Sequence, residues 1–349
     1  MTALAFAACA LLAPAEPPAP DGVVRSEFVF TEAPFAACHA STVVQTGKGA
    51  LVVAWFGGAR EGASDVAVWF SRYADGKWSK PANAADGAGE NGKAQPCWNP
   101  VLFQPADGPL MLFYKAGPSP KTWHGMLTTS DDQGVTWAAP RALPDGFLGP
   151  IKNKPVQLAD GTILCPSSTE DAGWRAHFER TDDRAKEWSK TDPLNDGKEI
   201  AAIQPTILQH GGDKLQALGR SRQGKLWQAW SKDGGKTWGA PELTALPNPN
   251  SGIDAVTLSD GRFLLVYNHT AKDRSPLNVA VSDDGKTWKA ALVLESDPGE
   301  YSYPAVIQDK DGLLHITYTW KRERIKHVVL DPKKLKLSDL PAANQGRDP

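Results

Sequence analysis

A short motif recurs along the chain at nearly constant spacing. Two copies fit Ser-x-Asp-x-Gly-x-Thr-Trp and end at Trp137 and Trp238, and a third, one residue shorter, ends at Trp288. Two degenerate copies end at Trp78 and Trp188, so the five tryptophans are separated by 59, 51, 50 and 50 residues. A period of this length indicates a repeat protein in which each repeat is one supersecondary unit.

A second series of segments runs in phase with the motif, and each member opens an apolar stretch. The members begin at His39, Asn99, Lys154, Gln204, Asp254 and Tyr303. A turn and further apolar stretches follow most of them, so each repeat predicts one four-stranded blade, with the motif forming a turn. The sequence therefore predicts an all-β fold, a six-bladed β-propeller over residues 25–335, with Arg25–Thr31 closing the last blade.

The two ends of the chain are predicted to lie outside the propeller. Residues 1–20 predict an export signal, because Leu4–Leu12 is apolar and small residues follow it. Cys9 leaves a lipid anchor as an alternative, and residues 336–349 are predicted to be a C-terminal tail. No run of 18 apolar residues follows the signal, so no transmembrane segment is expected. We therefore expect a periplasmic or extracellular protein.

Composition excludes several classes of function. The formal net charge of −2 argues against a nucleic-acid partner, which calls for a basic surface. After the signal the chain contains Cys38, Cys97 and Cys165 without a C-x-x-C spacing, which predicts buried thiols or at most one disulfide. The histidines are scattered, so neither a metal site nor another cofactor is expected. Nothing in the composition predicts the oligomeric state.

The starts of the innermost strands are expected to surround the propeller axis, where ligands usually bind. The residues near these starts are polar or charged: His39, Asn99, Lys152, Lys154, Gln204, Asp254, Tyr301 and Tyr303. Unpaired polar groups near a core cost free energy, so a ring of this kind favours a binding site. For any single member, a structural role is as good an explanation as a functional one.

The repeats resemble the sialidase superfamily, specifically the bacterial and plant sialidase-like proteins with Asp-box (BNR) repeats. The resemblance implies a propeller of sialidase type and an exo-glycosidase with a tyrosine nucleophile, a glutamate base and an aspartate acid/base. It implies Asp65 as the general acid and Tyr301, in its Tyr-Ser dipeptide, as the nucleophile. It also implies that Arg60, Arg220 and Arg274 bind the substrate, since guanidinium groups match planar carboxylates.

Three positions depart from the pattern of that family. His39 stands where its first arginine is expected, and Thr319 stands where a glutamate steadies that arginine. Gln204 stands in the catalytic set where the base of the tyrosine is expected, and a phenol has an ordinary pKa of about 10 without such a base. Two sets of substitutes stay open. The base could be Glu61, Glu170 or Asp254, and the missing positive charge could come from His39, Lys152 or Lys154.

The expected function is an exo-acting glycoside hydrolase that releases a terminal sialic-acid-like or other acidic sugar from glycans. Trp98, Trp123 and Trp174 could stack on a sugar face or pack between blades. One alternative is a uronate-specific glycosidase or polysaccharide lyase in which His39, Tyr301 or Tyr303 transfers the proton. The other alternative is a glycan-binding propeller without catalysis.

Overall fold

The computed structural model describes residues 20–87 and 93–342, and every regular element within them is a β-strand. Its 25 strands form six sheets that follow one another along the chain. The prediction of an all-β, six-bladed β-propeller is therefore confirmed. The predicted export signal lies outside the described residues except for Pro20, and so does the part of the predicted tail after residue 342.

The strands run blade by blade from the axis outward, and the innermost strands of blades 4, 5, 6, 1 and 2 contact one another in that order. The first strand, β1 (Val23–Phe28), completes the last blade. Blade 1 contains β2 (Ala37–Gln45), β3 (Leu51–Gly58), β4 (Ala67–Ala74), β5 (Lys77–Trp78) and β6 (Ala82–Ala85), blade 2 contains β7 (Cys97–Phe103), β8 (Leu110–Ala116), β9 (His124–Ser130) and β10 (Arg141–Ala142), and blade 3 contains β11 (Val156–Gln157), β12 (Ile163–Thr169), β13 (Arg175–Thr181) and β14 (Trp188–Lys190). Blade 4 contains β15 (Ala202–Gln209), β16 (Leu215–Ser221), β17 (Lys225–Ser231) and β18 (Glu242–Pro247), blade 5 contains β19 (Asp254–Thr257), β20 (Phe263–Tyr267), β21 (Leu277–Ser282) and β22 (Trp288–Glu295), and blade 6 contains β23 (Tyr301–Gln308), β24 (Leu314–Trp320) and β25 (Arg324–Leu330).

The ring is closed by β1, which pairs antiparallel with β25 as the outermost strand of blade 6. This pairing overlaps the predicted closing segment 25–31, and it joins the two ends of the propeller so that blade 6 has no open edge at β25. The register places Glu27 opposite His327. Their side chains continue a buried chain of hydrogen bonds, from Glu27 Oε1 to His327 Nδ1 at 3.2 Å and from His327 Nε2 to His315 Nδ1 at 3.0 Å.

The segment after β25 folds back onto blade 5. The backbone N–H of Ser338 donates to the carbonyl of Ala290 at 2.9 Å, and the reverse bond has the same length. Near the last described residues, Nε2 of His269 lies 2.9 Å from the carbonyl oxygen of Pro341. The described part of the predicted tail therefore covers the outer strand of blade 5.

The innermost strands carry a repeated irregularity near their starts. The pairing register shifts in β2, β7, β15 and β23, and the residues at these shifts include Ala40, Asn99, Gln204 and Tyr303 with φ between 41° and 56°. In three of the four strands proline follows, and proline has no N–H to give to the ladder. A β-bulge of this kind re-aims the side chain at its centre. The bulges therefore decide which side chains face the axis.

The recurring motif folds as a turn that also packs blades together. In the copy at Asp233, the carboxylate accepts the backbone N–H of Thr237 at 2.9 Å and its hydroxyl at 2.5 Å. Gly235 adopts a φ of 76°, which side-chain-bearing residues resist. Trp238 then stacks on Phe178 of blade 3 with ring centroids 4.0 Å apart. The motif is thus a folding device, as the sequence predicts.

Candidate active site

One end of the propeller collects the functional side chains. Because the strands of a blade are antiparallel, the turns between its second and third strands lie at the same end as the start of its first strand. Arg60 and Asp65 lie between β3 and β4, Arg274 lies between β20 and β21, and Arg322 lies between β24 and β25. We call this end, with the strand starts around it, the mouth.

Lys154 and Asp254, both expected at the site, form a network just below the mouth. The ammonium of Lys154 lies 2.8 Å from Asp254 Oδ2 and 2.9 Å from the carbonyl oxygen of Ala255. Asp254 also accepts the hydroxyl of Thr206 at 2.8 Å and the N–H of Val306 at 2.9 Å. These bonds join the central segments of blades 3, 4, 5 and 6, so the polar groups of this pair hold the ring together.

Lys152 is bound by the protein itself at the floor of the mouth. Its ammonium donates to Asn153 Oδ1 at 2.8 Å, to the Ile253 carbonyl at 2.5 Å and to the Pro304 carbonyl. Burial lowers the pKa of Lys152 to about 7, but three acceptors match the three N–H groups of a charged ammonium. Lys152 therefore bonds blade 3 to blades 5 and 6, and its donors are already used.

Tyr301 and Tyr303 occupy different environments, although they are two residues apart on β23. Tyr301 is 1% exposed and packs in the cluster between blades 5 and 6. Burial, followed by the charges of Glu295 and Asp297, raises the pKa of Tyr301. Tyr303 lies at the bulge, and its ring centroid is 4.1 Å from that of His39. Of the two rings, that of Tyr303 is therefore the one that contacts His39 at the mouth.

Two of the predicted arginines flank Tyr303. The guanidinium carbons of Arg220 and Arg274 lie 5.3 Å and 5.5 Å from the centroid of its ring. Arg220 is 6% exposed and donates to the carbonyl of Asn250 at 3.1 Å. Its Nε atom is buried without a hydrogen-bond partner among the described residues. Arg274 is half-buried and bonds Glu300 Oε1 at 2.6 Å. Blades 4 and 5 thus each supply one guanidinium.

Arg322 and Glu300 belong to the same cluster but are absent from the residues predicted from sequence. Glu300 Oε1 lies 2.7 Å from Arg322 Nε and 3.0 Å from the hydroxyl of Ser302. Arg322 Nη1 lies 2.5 Å from Glu61 Oε2. Burial opposes ionisation of Glu300, but the charges of Arg322 and Arg274 outweigh it and lower its pKa. Topology could have indicated Arg322 from the sequence, because a charged turn between the second and third strands of a blade must lie at the mouth.

His39 is 2% exposed and lines a cavity of about 290 Å³ between blades 1 and 6, together with Arg60 and Arg322. Its Nδ1 atom lies 3.0 Å from the hydroxyl of Thr319, which also accepts the N–H of Ala40 at 3.1 Å. Burial, reinforced by the charge of Arg322 and three further cations, lowers the pKa of His39 well below its usual value. His39 is therefore a neutral side chain in a cationic environment.

The loop between β3 and β4 carries Arg60 and Asp65, and both are exposed. Asp65 Oδ2 accepts the backbone N–H of Ala59 at 2.9 Å, which ties the two ends of the loop. A Cβ atom built on Gly62 would lie 3.3 Å from the ring of Trp98, so this tryptophan supports the loop from below. The exposed Asp65 carboxyl is accessible from solvent at the rim.

The remaining predicted residues are buried beside the mouth. Gln204 and Asn99 occupy bulges, and Gln204 Oε1 has no hydrogen-bond partner among the described residues. Trp174 donates to Glu170 at 2.9 Å and lies 4.8 Å from the guanidinium of Arg220. Trp98, Trp123 and Trp174 are each 7–8% exposed. The three tryptophans are therefore largely buried, and Glu170 accepts a hydrogen bond from Trp174.

Within residues 20–87 and 93–342, no group of three or more His, Cys, Asp or Glu side chains is placed to hold a metal ion. Cys38, Cys97 and Cys165 are free, buried thiols. In this described part of the chain, no helix is long and apolar enough to cross a membrane.

Fold and site together define a β-propeller of sialidase type with an arginine-lined mouth. The chain belongs to the BNR repeat-like domain family, because the model of that family matches residues 49–316. No curated protein matches the sequence. The Asp-box resemblance inferred from the repeats is therefore confirmed at the level of the family.

Solved structures share the fold at low sequence identity. A protein of unknown function from Dyadobacter fermentans is 18% identical, with a TM-score of 0.74 over 89% of this chain and 99% of that chain. The Hadza microbial sialidase Hz136 is 18% identical, with a TM-score of 0.73 over 86% of this chain and 67% of that chain. The NanB sialidase from Streptococcus pneumoniae is 12% identical, with a TM-score of 0.73 over 89% and 71%. These identities show a shared propeller fold alone.

Proposed function

We propose that this protein is an exo-acting glycosidase that removes a terminal acidic sugar from glycans. The observation that carries the proposal is the linked set of arginines. Arg220 and Arg274 flank one tyrosine, Arg274 and Arg322 share Glu300, and Arg322 and Arg60 line one cavity. Guanidinium groups outnumber the carboxylates among them, which favours an anionic substrate. Two structures with the same fold carry the name sialidase, which supports a glycan as the substrate.

In the proposed mechanism, Asp65 is the general acid and Tyr303 the nucleophile. Asp65 donates a proton to the glycosidic oxygen as the bond to the anomeric carbon breaks, and the phenol oxygen of Tyr303 attacks that carbon. The phenolic proton passes to a carboxylate of the cluster, for which Glu61 and Glu300 are the candidates. Gln204 is an amide and does not accept this proton. Water then attacks the anomeric carbon while Asp65 takes its proton, the bond to the Tyr303 oxygen breaks, and the tyrosine recovers its proton from the same carboxylate of the cluster.

Tyr303 takes this role instead of Tyr301 because of its surroundings. A nucleophile must lie beside the groups that hold the substrate, and in this proposal those groups are arginines. Arg220 and Arg274 lie beside Tyr303, whereas the charges near Tyr301 are those of Glu295 and Asp297. The two tyrosines therefore differ in the sign of the field that acts on them.

The test is a screen of released sugars. The full chain is incubated with sialylated and uronate-rich glycans, and products are identified by mass spectrometry. We expect a free acidic monosaccharide, and Asp65→Asn should abolish its release while sugar binding persists. Full activity of that variant would remove Asp65 from the mechanism. An unsaturated uronate product would indicate elimination, and binding without any product would indicate a glycan-binding propeller.

Export to the periplasm or the cell exterior remains a proposal from the sequence of residues 1–20. It agrees with a glycan substrate, since extended glycans are found mainly outside the cytoplasm. Fractionation of cells that express the full-length chain would test it, with the mass of the mature protein as the readout. A protein that stays in the cytoplasm with its first 20 residues attached would contradict it.

A further inference from the structure

We propose that Arg322 and His39 form the carboxylate anchor of the mouth, with Arg322 supplying the charge and His39 a neutral hydrogen-bond donor. The inference rests on the proposed function, because it names the residues that hold the acidic group of the sugar. It also assigns a role to Arg322, which lies on a turn that carries no recognisable sequence motif.

The two side chains reach one cavity from different blades. His39 comes from the start of β2 in blade 1, and Arg322 comes from the turn between β24 and β25 in blade 6. Phe56 and Val66 contribute apolar wall to the same cavity. A charge–charge contact is stronger beside apolar groups than in open water, because the local dielectric constant is lower. A carboxylate in this cavity would therefore gain more from Arg322 than at an open surface.

The guanidinium of Arg322 is held in place and keeps free donors. Its Nε bonds Glu300 at 2.7 Å and its Nη1 bonds Glu61 at 2.5 Å. Within the described residues no acceptor is bonded to Nη2, so its two N–H groups can serve a ligand. The carboxylates of Glu300 and Glu61 fix the plane of the guanidinium group. Less conformational entropy is therefore lost when the carboxylate of a ligand binds to Nη2.

The hydrogen bonds of His39 define its free donor. Thr319 Oγ1 accepts the N–H of Ala40, and among described residues the one remaining partner for its own hydrogen is Nδ1 of His39. The hydroxyl therefore donates to Nδ1, and the proton of the neutral imidazole is on Nε2. His39 thus offers the cavity an N–H donor without adding another positive charge to the cluster.

Lys152 and Lys154 do not fill this role, although the sequence offered both as sources of positive charge. The donors of Lys152 are taken by Asn153 and two carbonyl groups, and Lys154 is paired with Asp254. An ammonium would have to break these bonds between blades before it could bind a ligand. Arg322 can bind one without losing its existing partners.

The test measures binding separately from turnover. Free N-acetylneuraminate and free glucuronate are titrated into the wild-type chain and into Arg322→Gln, and binding is followed by calorimetry. Loss of one charge-assisted contact should weaken binding of the recognised acid about 10- to 100-fold. Arg324→Gln is the matched control, since Arg324 lies on the same hairpin with its guanidinium over Phe28, 4.9 Å from the ring centroid. The control should bind as the wild type does.

A relocated charge provides the second variant. It combines His39→Arg with Arg322→Gln, which leaves Glu61 and Glu300 free to pair with the new arginine. We expect this double variant to bind the acid at least about tenfold more tightly than Arg322→Gln alone. Thermal unfolding is measured first, and if the double variant does not fold, Arg322→Gln against Arg324→Gln decides the question.

Equal binding by the wild type and Arg322→Gln, or equal loss in Arg324→Gln, would overturn the anchor. So would a wild-type chain that binds neither acid. The proposed function fails on a different readout, the absence of any released sugar, and the anchor survives that failure if Arg322→Gln alone loses affinity for the acid.

Discussion

Nδ1 of His39 and Oγ1 of Thr319 lie 3.0 Å apart, although the two residues are 280 positions apart in the chain. These are two of the positions at which the sequence departs from the sialidase pattern, where an arginine and a glutamate are expected. A neutral imidazole and a hydroxyl thus meet where an ion pair would stand. Both charges are absent together, so neither is left buried without a partner.

The first prediction concerns this pair. His39→Arg alone should destabilise the fold by about 3 kcal/mol, because it places an unpaired cation in a buried site already surrounded by cations. Thr319→Glu in the same chain should recover most of that loss. The free energy of unfolding of both single variants and the double variant, measured in urea, gives the coupling energy. Additive losses would show that the two positions are not coupled.

The second prediction compares two conservative changes on one strand. Tyr303→Phe removes the hydroxyl proposed as nucleophile and should lower kcat by at least about 100-fold, the usual scale for a group that acts on the reacting atoms. Tyr301→Phe removes a hydroxyl on the interblade side and should leave kcat within about twofold of the wild type. The rates are measured on the sugar conjugate that the screen identifies. The reverse order would return the role of nucleophile to Tyr301.

The two tyrosines also show which features of the site can be predicted from the sequence and which cannot. In a regular strand, residues two apart share a face, so the sequence predicts the same orientation for Tyr301 and Tyr303. The bulge at Tyr303, followed by Pro304, breaks that alternation and directs the two rings into different clusters. The six blades were predictable because their turns repeat at a fixed period. The direction of a side chain at a bulge depends on the local backbone geometry, which the spacing of the repeats does not predict.

Arg322 illustrates a second limit of the sequence. It lies in a short turn without a motif, and its importance comes from Glu61 of blade 1 and Glu300 of blade 6, which meet it in space. Lys154 shows the opposite case, because its position at a strand start indicated the site while its partner Asp254 makes it structural. Position in a repeat predicts where a residue lies, whereas its role depends on partners from other blades.

The third prediction concerns the network below the mouth. Each oxygen of Asp254 accepts hydrogen bonds from neighbouring blades, and Asp254→Asn replaces one of the two oxygens by an NH2 donor. We therefore expect the free energy of unfolding to fall by about 3 to 5 kcal/mol. Lys154→Met should cost less, about 1 to 3 kcal/mol, because Asp254 keeps its bonds to Thr206 and Val306. Urea unfolding at neutral pH measures both. A larger loss in the lysine variant would show that Lys154, and not Asp254, is the centre of the network.

The fourth prediction is a loss of stability at mildly acidic pH, one part of which originates at the closure of the ring and another at the buried His39, whose lowered pKa acts in the same direction. Burial lowers the pKa of His315 and that of His327, although Asp309 and Glu27 oppose this shift. In the unfolded chain both histidines take up protons near pH 6.5, while the folded chain resists until lower pH. The unfolded state therefore binds more protons below about pH 6.5. This stability is complete above that pH and is lost as the pH falls.

The hydrogen bond to His327 is the largest cause of the lowered pKa of Glu27. A lowered carboxyl pKa also makes the folded state lose stability as the pH falls, here at a lower pH than for the histidines. The free energy of unfolding, measured by urea titration at pH 7.5, 6.5 and 5.5, should fall by an amount on the order of 1 kcal/mol for each buried histidine. His327→Gln should flatten this dependence, whereas the control His124→Gln, at an exposed residue, should keep the wild-type slope. An unchanged slope in His327→Gln would place the acid sensitivity elsewhere in the fold. Because Glu27 is on β1 and His327 on β25, a flattened slope would show that pH acts on the strand pairing that closes the propeller.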